Sequence, residues 1–260
     1  MLYWFRMPAG PFYKDQAKGL VIGLAGGVFG GLVGLGGGVV MIPLMVLVGK
    51  LTQHAAHGTS LVAIVFTGLI GAIAYFLHGY VDWRASLILA VCAVCTARVG
   101  ALYAHSLPEK KLKKAFGFFL VFVALFLISK DFIMGSSYHA GSVMYYIILF
   151  LTGIFTGFVS GMMGVGGGGI MVPPLVILIG MPQHLAQGTS LLAMVPGSAM
   201  GAATHYKLGN VAKKIAPGLA AGAAIGGYFG ANLAHFMPEF HLKLIFAIVS
   251  IWMGIRYIRA

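Results

Sequence analysis

Two runs of glycine in this sequence are suited to binding an anion. The first is Gly36–Gly38, in GLGGGVVMIPLMVLVG, and the second is Gly166–Gly168, in GVGGGGIMVPPLVILIG. A helix that begins at such a triplet leaves its first backbone N–H groups without partners. These groups and the helix dipole favour a negative charge, and glycine lets a ligand approach the backbone closely. The alternative is that the glycines only permit close packing of helices.

A Gly-Thr-Ser triplet follows each of these runs and supplies hydroxyl groups. The hydroxyls belong to Thr59 and Ser60 in the first triplet and to Thr189 and Ser190 in the second. A helix that starts shortly before each triplet places them about two turns, roughly 10 Å, from its beginning. There they can donate hydrogen bonds to a bound oxyanion, or they can bond to the carbonyl of the preceding turn. The sequence leaves both interpretations open.

Three ionisable side chains lie in or near apolar runs, where charge is costly and often functional. Arg98 stands in the middle of the run CTARVGALY and can face an anion pathway, although pairing with the backbone or snorkelling also explains it. His57 and His205 are candidates for proton coupling, because imidazole titrates near neutral pH. The alternative for each histidine is a structural hydrogen-bonding role.

Motifs for catalysis or metal binding are missing from the sequence. It contains no HExxH, no Walker loop and no pair of intramembrane carboxylates. Cys92 and Cys95 form a Cys-x-x-Cys pair, but they lie in an apolar run without a second ligand pair, so we interpret them as packing residues. We therefore expect no catalytic residue, no metal and no cofactor, and we do not expect an enzyme.

The composition places these residues in a membrane protein. The chain has 260 residues, of which 60% are hydrophobic and 8% are charged, whereas soluble domains carry about 25% charge. Several runs approach the roughly 20 apolar residues that cross a bilayer. The net charge of +12 does not indicate nucleic acid, because the basic residues lie between apolar runs, as in cytoplasmic loops. We predict an all-α polytopic membrane protein.

The sequence contains one unit twice. A shift of 130 residues aligns HGTS at 57–60 with QGTS at 187–190, and GALYAHSLPEKKLKKAF with GANLAHFMPEFHLKLIF. Each copy holds about five apolar segments, at 19–35, 38–49, 53–77, 85–106 and 112–129 in the first, and at 143–163, 168–180, 183–205, 215–235 and 241–258 in the second. Because five is odd, the second copy is expected to enter the membrane from the opposite side, which gives inverted repeats.

The positions of the charges predict the orientation. We divide the chain into a cytoplasmic N-terminal segment at 1–18, a first transmembrane repeat at 19–130, a linker at 131–142 and a second transmembrane repeat at 143–260. If the N-terminus is cytoplasmic, the lysine-rich loops at 110–114 and 207–214 fall on the same side, as does the basic C-terminus. This agrees with the positive-inside rule, so both termini are expected in the cytoplasm.

The segments that follow the glycine triplets are too short to cross a membrane. The first runs for about 11 residues, or roughly 16 Å, which is about half of a 30 Å hydrocarbon core. We predict half-helices or re-entrant hairpins, because irregular backbone at membrane depth occurs where protein buries it or a cavity is lined. Inversion is expected to bring Gly36–Gly38 and Gly166–Gly168 together at the midplane, where two helix N-termini hold one small anion.

The doubled pattern resembles a known family. The triglycine, proline, Gly-Thr-Ser and Gly-x-Val elements recur in both halves, in GLGGGVVMIPLMVLVG, HGTSL and HGYVDW and again in GVGGGGIMVPPLVILIGMPQHLAQGTSL and KLGNV. Together they are similar to the TauE/SafE family of sulfite exporters and toluenesulfonate uptake permeases. The resemblance covers nearly the whole chain. It implies a permease for sulfur-containing anions in the plasma membrane (the bacterial inner membrane), with the substrate at the glycine triplets and the Gly-Thr-Ser positions.

We therefore expect a secondary transporter that moves a small sulfur-containing anion, such as sulfite or sulfoacetate, by alternating access. Protons are the expected coupling ion, through a histidine. A passive anion channel and a membrane assembly protein without transport are the alternatives. The expected partners are the anion and the lipid bilayer, without nucleic acid, and the sequence leaves a homo-oligomer open.

Overall fold

The protein is helical throughout the part that its computed structural model describes, which is residues 12–133, 142–234, 236, 247–248, 251–252 and 254–259. No strand occurs within these residues, which confirms the all-α prediction. The helices are α1 (Phe12–Val33), α2 (Gly38–Leu47), α3 (Gln53–Leu77), α4 (Trp83–Ser106), α5 (Glu109–Ile133), α6 (Ser142–Met163), α7 (Gly168–Ile177), α8 (Gln183–Lys207) and α9 (Ala216–Leu233).

The helix bounds repeat along the chain. The bounds of α1 and α6 differ by 130 residues at both ends, and the same holds for α2 with α7 and for α3 with α8. The last predicted segment, at 241–258, lies mostly outside the described residues. Helix α1 begins earlier than the apolar run at 19–35, because the preceding residues KDQAK are mostly good helix formers and extend the helix beyond the apolar part.

The lengths of the helices fit a membrane. Within the described residues, four helical stretches are long and apolar enough to cross it: Lys14–Val33, Gln53–Leu77, Trp83–Ser106 and Val143–Met163. The apolar helices α2 and α7 have 10 residues each and reach only about 15 Å. Large apolar side chains are exposed on the outer faces of the long helices, as at Phe66, Leu87 and Phe155. The chain is therefore a multi-pass membrane protein.

Equivalent helices of the two repeats run in opposite directions. Gly58, near the start of α3, lies against Asn210, just after the end of α8. Gly188, near the start of α8, lies against Tyr80, just after the end of α3. Helices α3 and α8 are therefore antiparallel and cross at the centre of the molecule, which is the arrangement that inverted repeats require.

The two repeats are interleaved through close helix contacts. Helix α1 packs along α9, and α4 packs along α6. A Cβ atom on Gly27 would lie 2.5 Å from the carbonyl oxygen of Ala223, and one on Gly153 would lie 2.7 Å from the Cβ of Cys92. Such small residues let helix backbones approach closely inside a bilayer, so these glycines serve packing.

Most lysines gather at one end of the bundle. There the Gln16 side-chain amide donates to the Lys214 carbonyl at 2.7 Å, and the Gln53 backbone N–H donates to the Glu109 carboxylate at 2.9 Å. These bonds join the start of α1 to the loop before α9 and the start of α3 to the start of α5. We call this end the basic side. Its lysines are Lys14, Lys18, Lys50, Lys110, Lys111, Lys113, Lys114, Lys207, Lys213 and Lys214.

Candidate functional site

Two glycine-rich loops lead into the short helices. We call residues 34–38 the first glycine loop and residues 164–168 the second. Gly37 and Gly167 are the N-caps of α2 and α7, with φ of 84° and 95°. Backbone of this left-handed kind strains any residue that has a side chain. The same conformation occurs at Gly34, Gly36, Gly164 and Gly166.

The two glycine loops touch each other. A Cβ atom on Gly38 would lie 2.5 Å from the carbonyl oxygen of Gly164, and a Cβ atom on Gly168 would overlap the carbonyl oxygen of Gly34. All six residues of the two triplets are buried. The contacts are reciprocal, because each loop presents the same carbonyl to the same position of the other.

A shared apolar pair lies against both loops. A Cβ atom on Gly36 would lie 2.8 Å from the Met194 sulfur and 3.2 Å from the Ile64 Cγ2 atom, and one on Gly166 would lie 3.1 Å and 2.7 Å from the same two atoms. Ile64 belongs to α3 and Met194 to α8, at equivalent positions of the two repeats. The loops therefore meet where the pseudo-twofold axis passes between these helices, as the sequence predicts.

The short helices turn back along their preceding helices. Gly26 of α1 faces Met41 of α2, and Gly30 faces Gly37, so α2 runs antiparallel to the second half of α1. Helix α7 is placed in the same way against α6. These segments are re-entrant hairpins, and α2 returns to the basic side.

The starts of α2 and α7 present backbone donors without caps. Val40 and Met41 both donate to the Gly37 carbonyl, at 3.1 and 3.0 Å. No side chain caps the helix, so the amides of Gly38 and Val39 have no acceptor within it. The same pattern occurs at the start of α7. Two buried helix starts thus bring positive dipole ends to the centre of the molecule.

Two hydroxyls beside the second glycine loop were not found by sequence reasoning. The side chain of Thr156 contacts the position that a Cβ on Gly167 would take, and Ser160 lies next to it. Thr156 is 1% exposed and Ser160 is 3% exposed, and neither hydroxyl has a hydrogen-bond partner in the described part of the chain. The first repeat has Gly26 and Gly30 at these positions. That difference between otherwise similar copies is the signal that marks them.

The threonines of the Gly-Thr-Ser triplets join the two repeats. The Thr59 hydroxyl donates to the Ala55 carbonyl at 2.6 Å and accepts from the Ala212 backbone N–H at 2.9 Å. The Thr189 hydroxyl accepts from the Asp82 backbone N–H at 3.0 Å. Each threonine therefore holds the loop that precedes the fourth helix of the other repeat.

The serines of the same triplets hold the glycine loops. The Ser60 hydroxyl lies 2.6 Å from the Gly164 carbonyl, and the Ser190 hydroxyl lies 3.2 Å from the Gly34 carbonyl. Each serine also bonds to a carbonyl of its own preceding turn. A substrate role for these four hydroxyls remains a prediction, and the bonds described here position the loops.

His57 is buried under the end of α6. Its Nδ1 atom lies 3.1 Å from the Met162 carbonyl and its Nε2 atom lies 2.8 Å from the side-chain nitrogen of Gln53. The carbonyl requires a proton on Nδ1, so Nε2 accepts from the Gln53 amide. His57 thus connects the start of α3 to the residues just before the second glycine loop.

His205 makes a parallel connection from α8. Its Nε2 atom lies 2.9 Å from the Gly161 carbonyl, and its Nδ1 atom lies 3.4 Å from the side-chain nitrogen of Asn210. The same Asn210 nitrogen lies 3.1 Å from Nδ1 of His105, which is exposed on the basic side. We call His57, His105, His205 and Asn210 the histidine network.

Among the described residues, the histidine network occurs at one end of the molecule only. In the equivalent positions at the other end, the Tyr75 hydroxyl lies 3.3 Å from the Gly31 carbonyl and 3.1 Å from the Gln187 side-chain oxygen. Tyrosine and glutamine keep the same kind of backbone contact as His205 and His57. They do not titrate near neutral pH, so the two ends differ in proton chemistry and not in architecture.

Arg98 does not join these groups. It is exposed on α4 and lines a groove of about 290 Å³ between α4 and α8, with Leu102, Met200 and Lys207 among the other lining residues. No residue of either glycine loop lines that groove. A direct role in binding the substrate stays a prediction for this arginine.

Comparison with known proteins gives matches that cover nearly the whole chain, including both repeats. The family model "Sulfite exporter TauE/SafE" matches residues 19–257. The probable membrane transporter protein YunE of Bacillus subtilis (strain 168) is 31% identical, with 92% of this chain and 96% of that protein covered. A probable membrane transporter protein of Xylella fastidiosa (strain 9a5c) is 30% identical, with 90% and 92% covered.

No solved structure matches the chain significantly. The family match nevertheless includes both glycine loops and both Gly-Thr-Ser triplets, and the relatives are matched over nearly their full length. The chain is therefore a membrane transporter that belongs to the sulfite exporter TauE/SafE family.

Proposed function

We propose that this protein moves a small sulfur-containing oxyanion, such as sulfite or an organosulfonate, across the plasma membrane by alternating access. The observation that carries the proposal is the meeting of two buried, uncapped helix starts at the centre of an inverted repeat. Helix N-termini attract anions through free N–H groups and the helix dipole. The family name supports sulfite or a related anion as the substrate.

The second glycine loop has more hydrogen-bond donors near it than the first. The methyl group of Thr156 and the Cβ of Ser160 lie against Gly167, and the hydroxyls of these two side chains are buried without a partner among the described residues. A sulfite or sulfonate group has three oxygens that accept hydrogen bonds, and bonds to a charged acceptor are roughly twice as strong as neutral ones. The hydroxyls and the first-turn amides of α7 together supply several donors without a fixed cation. Binding without a formal ion pair stays weak enough to release the anion.

Movement of the two repeats would open the site. The glycine loops touch, and Ser60 and Ser190 bond each loop to the opposite repeat. An anion held by the loops therefore lies beside their contact and leaves when the repeats rock against each other. Because the repeats are inverted, motion that opens one side corresponds to motion that closes the other.

The histidine network is the proposed route for coupling to protons. It leads from exposed His105 on the basic side through Asn210 to buried His205. His205 bonds to the Gly161 carbonyl, and His57 bonds to the carbonyl of the next residue, Met162. Protonation at Nε2 of His57 removes the acceptor for the Gln53 amide within α3, and the positive charge on the ring strengthens the bond from Nδ1 to the Met162 carbonyl, which connects α3 to the end of α6. That end leads directly into the second glycine loop, so the proton and the anion act on neighbouring backbone.

The basic side is proposed to face the cytoplasm. It carries ten lysines, whereas the described backbone near the other side carries Asp82 and Arg84 around the start of α4 and Lys130 and Asp131 near the end of α5. Positively charged loops stay preferentially in the cytoplasm during insertion. This orientation places both chain termini in the cytoplasm of a cell bounded by the plasma membrane.

Flux in proteoliposomes tests the proposal. The purified chain is reconstituted, and the uptake and efflux of sulfite, a taurine-like sulfonate and thiosulfate are measured with and without an imposed pH gradient. Saturable flux that responds to the gradient supports the proposal. Flux that follows voltage without saturation indicates a channel. If none of the anions moves, or if Gly37→Leu combined with Gly167→Leu leaves the flux unchanged, the assignment is wrong.

A further inference from the structure

The groove between α4 and α8 carries two cations on the outer surface of the bundle. Arg98 and Lys207 line it, together with Leu102, Met200 and Thr204, and its volume is about 290 Å³. Both basic side chains are exposed. Lys207 is the last residue of α8 on the basic side, so the groove opens near the edge of the membrane.

Arg98 reaches into the part of the surface that lipid covers. It lies eight residues before Ser106, the end of α4, which places its Cα about 12 Å from that end. Leu102, one turn later on the same face, is apolar and 46% exposed, and the adjacent Val99 is 55% exposed. A charged side chain at that depth is costly unless a partner of opposite charge reaches it.

The described part of the chain supplies no such partner. Neither Arg98 nor Lys207 forms a hydrogen bond or an ion pair with a residue in this part. The whole sequence has only five acidic residues, and the three whose side chains are described, Asp15, Asp82 and Glu109, do not line the groove. Among the described residues, therefore, no carboxylate compensates the two cations, and a ligand from outside the chain can supply the negative charge.

The second repeat provides an internal comparison. The equivalent of Arg98 is Tyr228 in α9, and the equivalent of Lys207 is Leu77 in α3. The same helix pair therefore packs at the other end of the molecule without either cation. Packing alone does not require the charges, so a function specific to the basic side explains them better.

We propose that this groove binds the phosphate headgroup of an anionic phospholipid. The guanidinium of Arg98 matches two phosphate oxygens at once, and Lys207 adds a second positive charge. Basic pockets between transmembrane helices on the cytoplasmic side suit such headgroups. The groove opens on the lipid-facing surface, and Leu102 and Met200 lie beside the charges to receive an acyl chain. A lipid therefore fits better than a soluble anion.

Native mass spectrometry of the full chain tests the proposal. Detergent-solubilised protein is titrated with phosphatidylglycerol, with phosphatidylcholine and with free glycerol phosphate. We expect retention of phosphatidylglycerol alone. The double variant Arg98→Gln with Lys207→Gln should retain it at least about a hundredfold more weakly, because it loses two direct hydrogen bonds to a charged phosphate, each of which contributes about 1.5 kcal/mol or more. The control variant Lys110→Gln with Lys114→Gln removes the same charge from exposed positions of α5 and should bind like the wild type.

Several results would overturn the proposal. Equal retention of phosphatidylglycerol by the double variant and the control would show that the groove is not the binding place. Binding of glycerol phosphate as tight as that of the lipid would indicate a soluble ligand. Unchanged lipid retention together with a raised KM for sulfite in the double variant would assign Arg98 to the transported anion. Melting temperatures of all variants show whether each one is folded.

Discussion

The close contact between the two glycine loops predicts a measurable loss of stability when a methyl group is added there. Gly38 and Gly168 are the first residues of α2 and α7, and neither has a left-handed φ. An alanine at either position therefore adds a methyl group without straining its own backbone. The methyl group at 38 would lie 2.5 Å from the Gly164 carbonyl oxygen, and the one at 168 would overlap the Gly34 carbonyl oxygen.

Backbone atoms surround both methyl groups, so no side-chain rotation relieves the overlap. The next neighbour at position 38 is the Val165 Cα at 2.8 Å, and at position 168 it is the Leu35 Cα at 2.9 Å. Overpacking of this kind costs about 1–3 kcal/mol, and the better helix propensity of alanine offsets up to about 1 kcal/mol of it. The overlap with backbone atoms puts the cost near its upper limit, so we expect a net loss of about 2 kcal/mol, which corresponds to a fall in melting temperature of about 4–8 °C.

The assay combines thermal unfolding in detergent with sulfite flux in proteoliposomes. Gly38→Ala and Gly168→Ala should both unfold earlier and carry less flux, because the loops are pushed apart. Gly71→Ala is the matched control in α3, since its methyl group would meet only the flexible Leu191 side chain, at 3.2 Å. If both loop variants match this control in melting temperature and flux, the loops do not touch as described.

Three further predictions concern the site itself. Gly167→Ala, at φ 95°, should abolish flux. The control Gly79→Ala, at φ 77° with nothing within 4 Å, has the same dihedral cost of about 1–2 kcal/mol and should transport normally. Equal losses of flux in the two variants would contradict a role for the second glycine loop. The double variant Thr156→Val with Ser160→Ala should raise the KM for sulfite at least about tenfold, since a hydrogen bond to a charged group contributes about 1.5–3 kcal/mol. An unchanged KM would show that these hydroxyls do not bind the anion. His205→Tyr copies the residue of the other repeat, so the variant should fold and transport without responding to a pH gradient; a full response would exclude this histidine from coupling.

The sequence predicted the starts of α2, α3, α7 and α8 closely because local signals define them. Glycine triplets mark the starts of α2 and α7, and the apolar run at 53–77 coincides with α3. The repeat offset also predicted that equivalent helices run in opposite directions. These features depend on composition and on the number of segments, and both can be read along one chain.

The partners of the site residues could not be read in this way. Thr59 bonds to Ala212 of the other repeat, and this contact exists only after the repeats interleave. Thr156 and Ser160 become part of the site because α7 turns back along α6. The rotation of α4 about its axis decides that Arg98 faces outward, and an apolar helix without a clear polar face does not reveal that rotation.

A structure determined with bound sulfite would show where the anion binds. We predict density for the anion beside the contact of the two glycine loops, within hydrogen-bonding distance of the Ser160 hydroxyl and of the first amides of α7. Density for the anion at a place remote from both loops, with the loops unchanged in saturating sulfite, would contradict it.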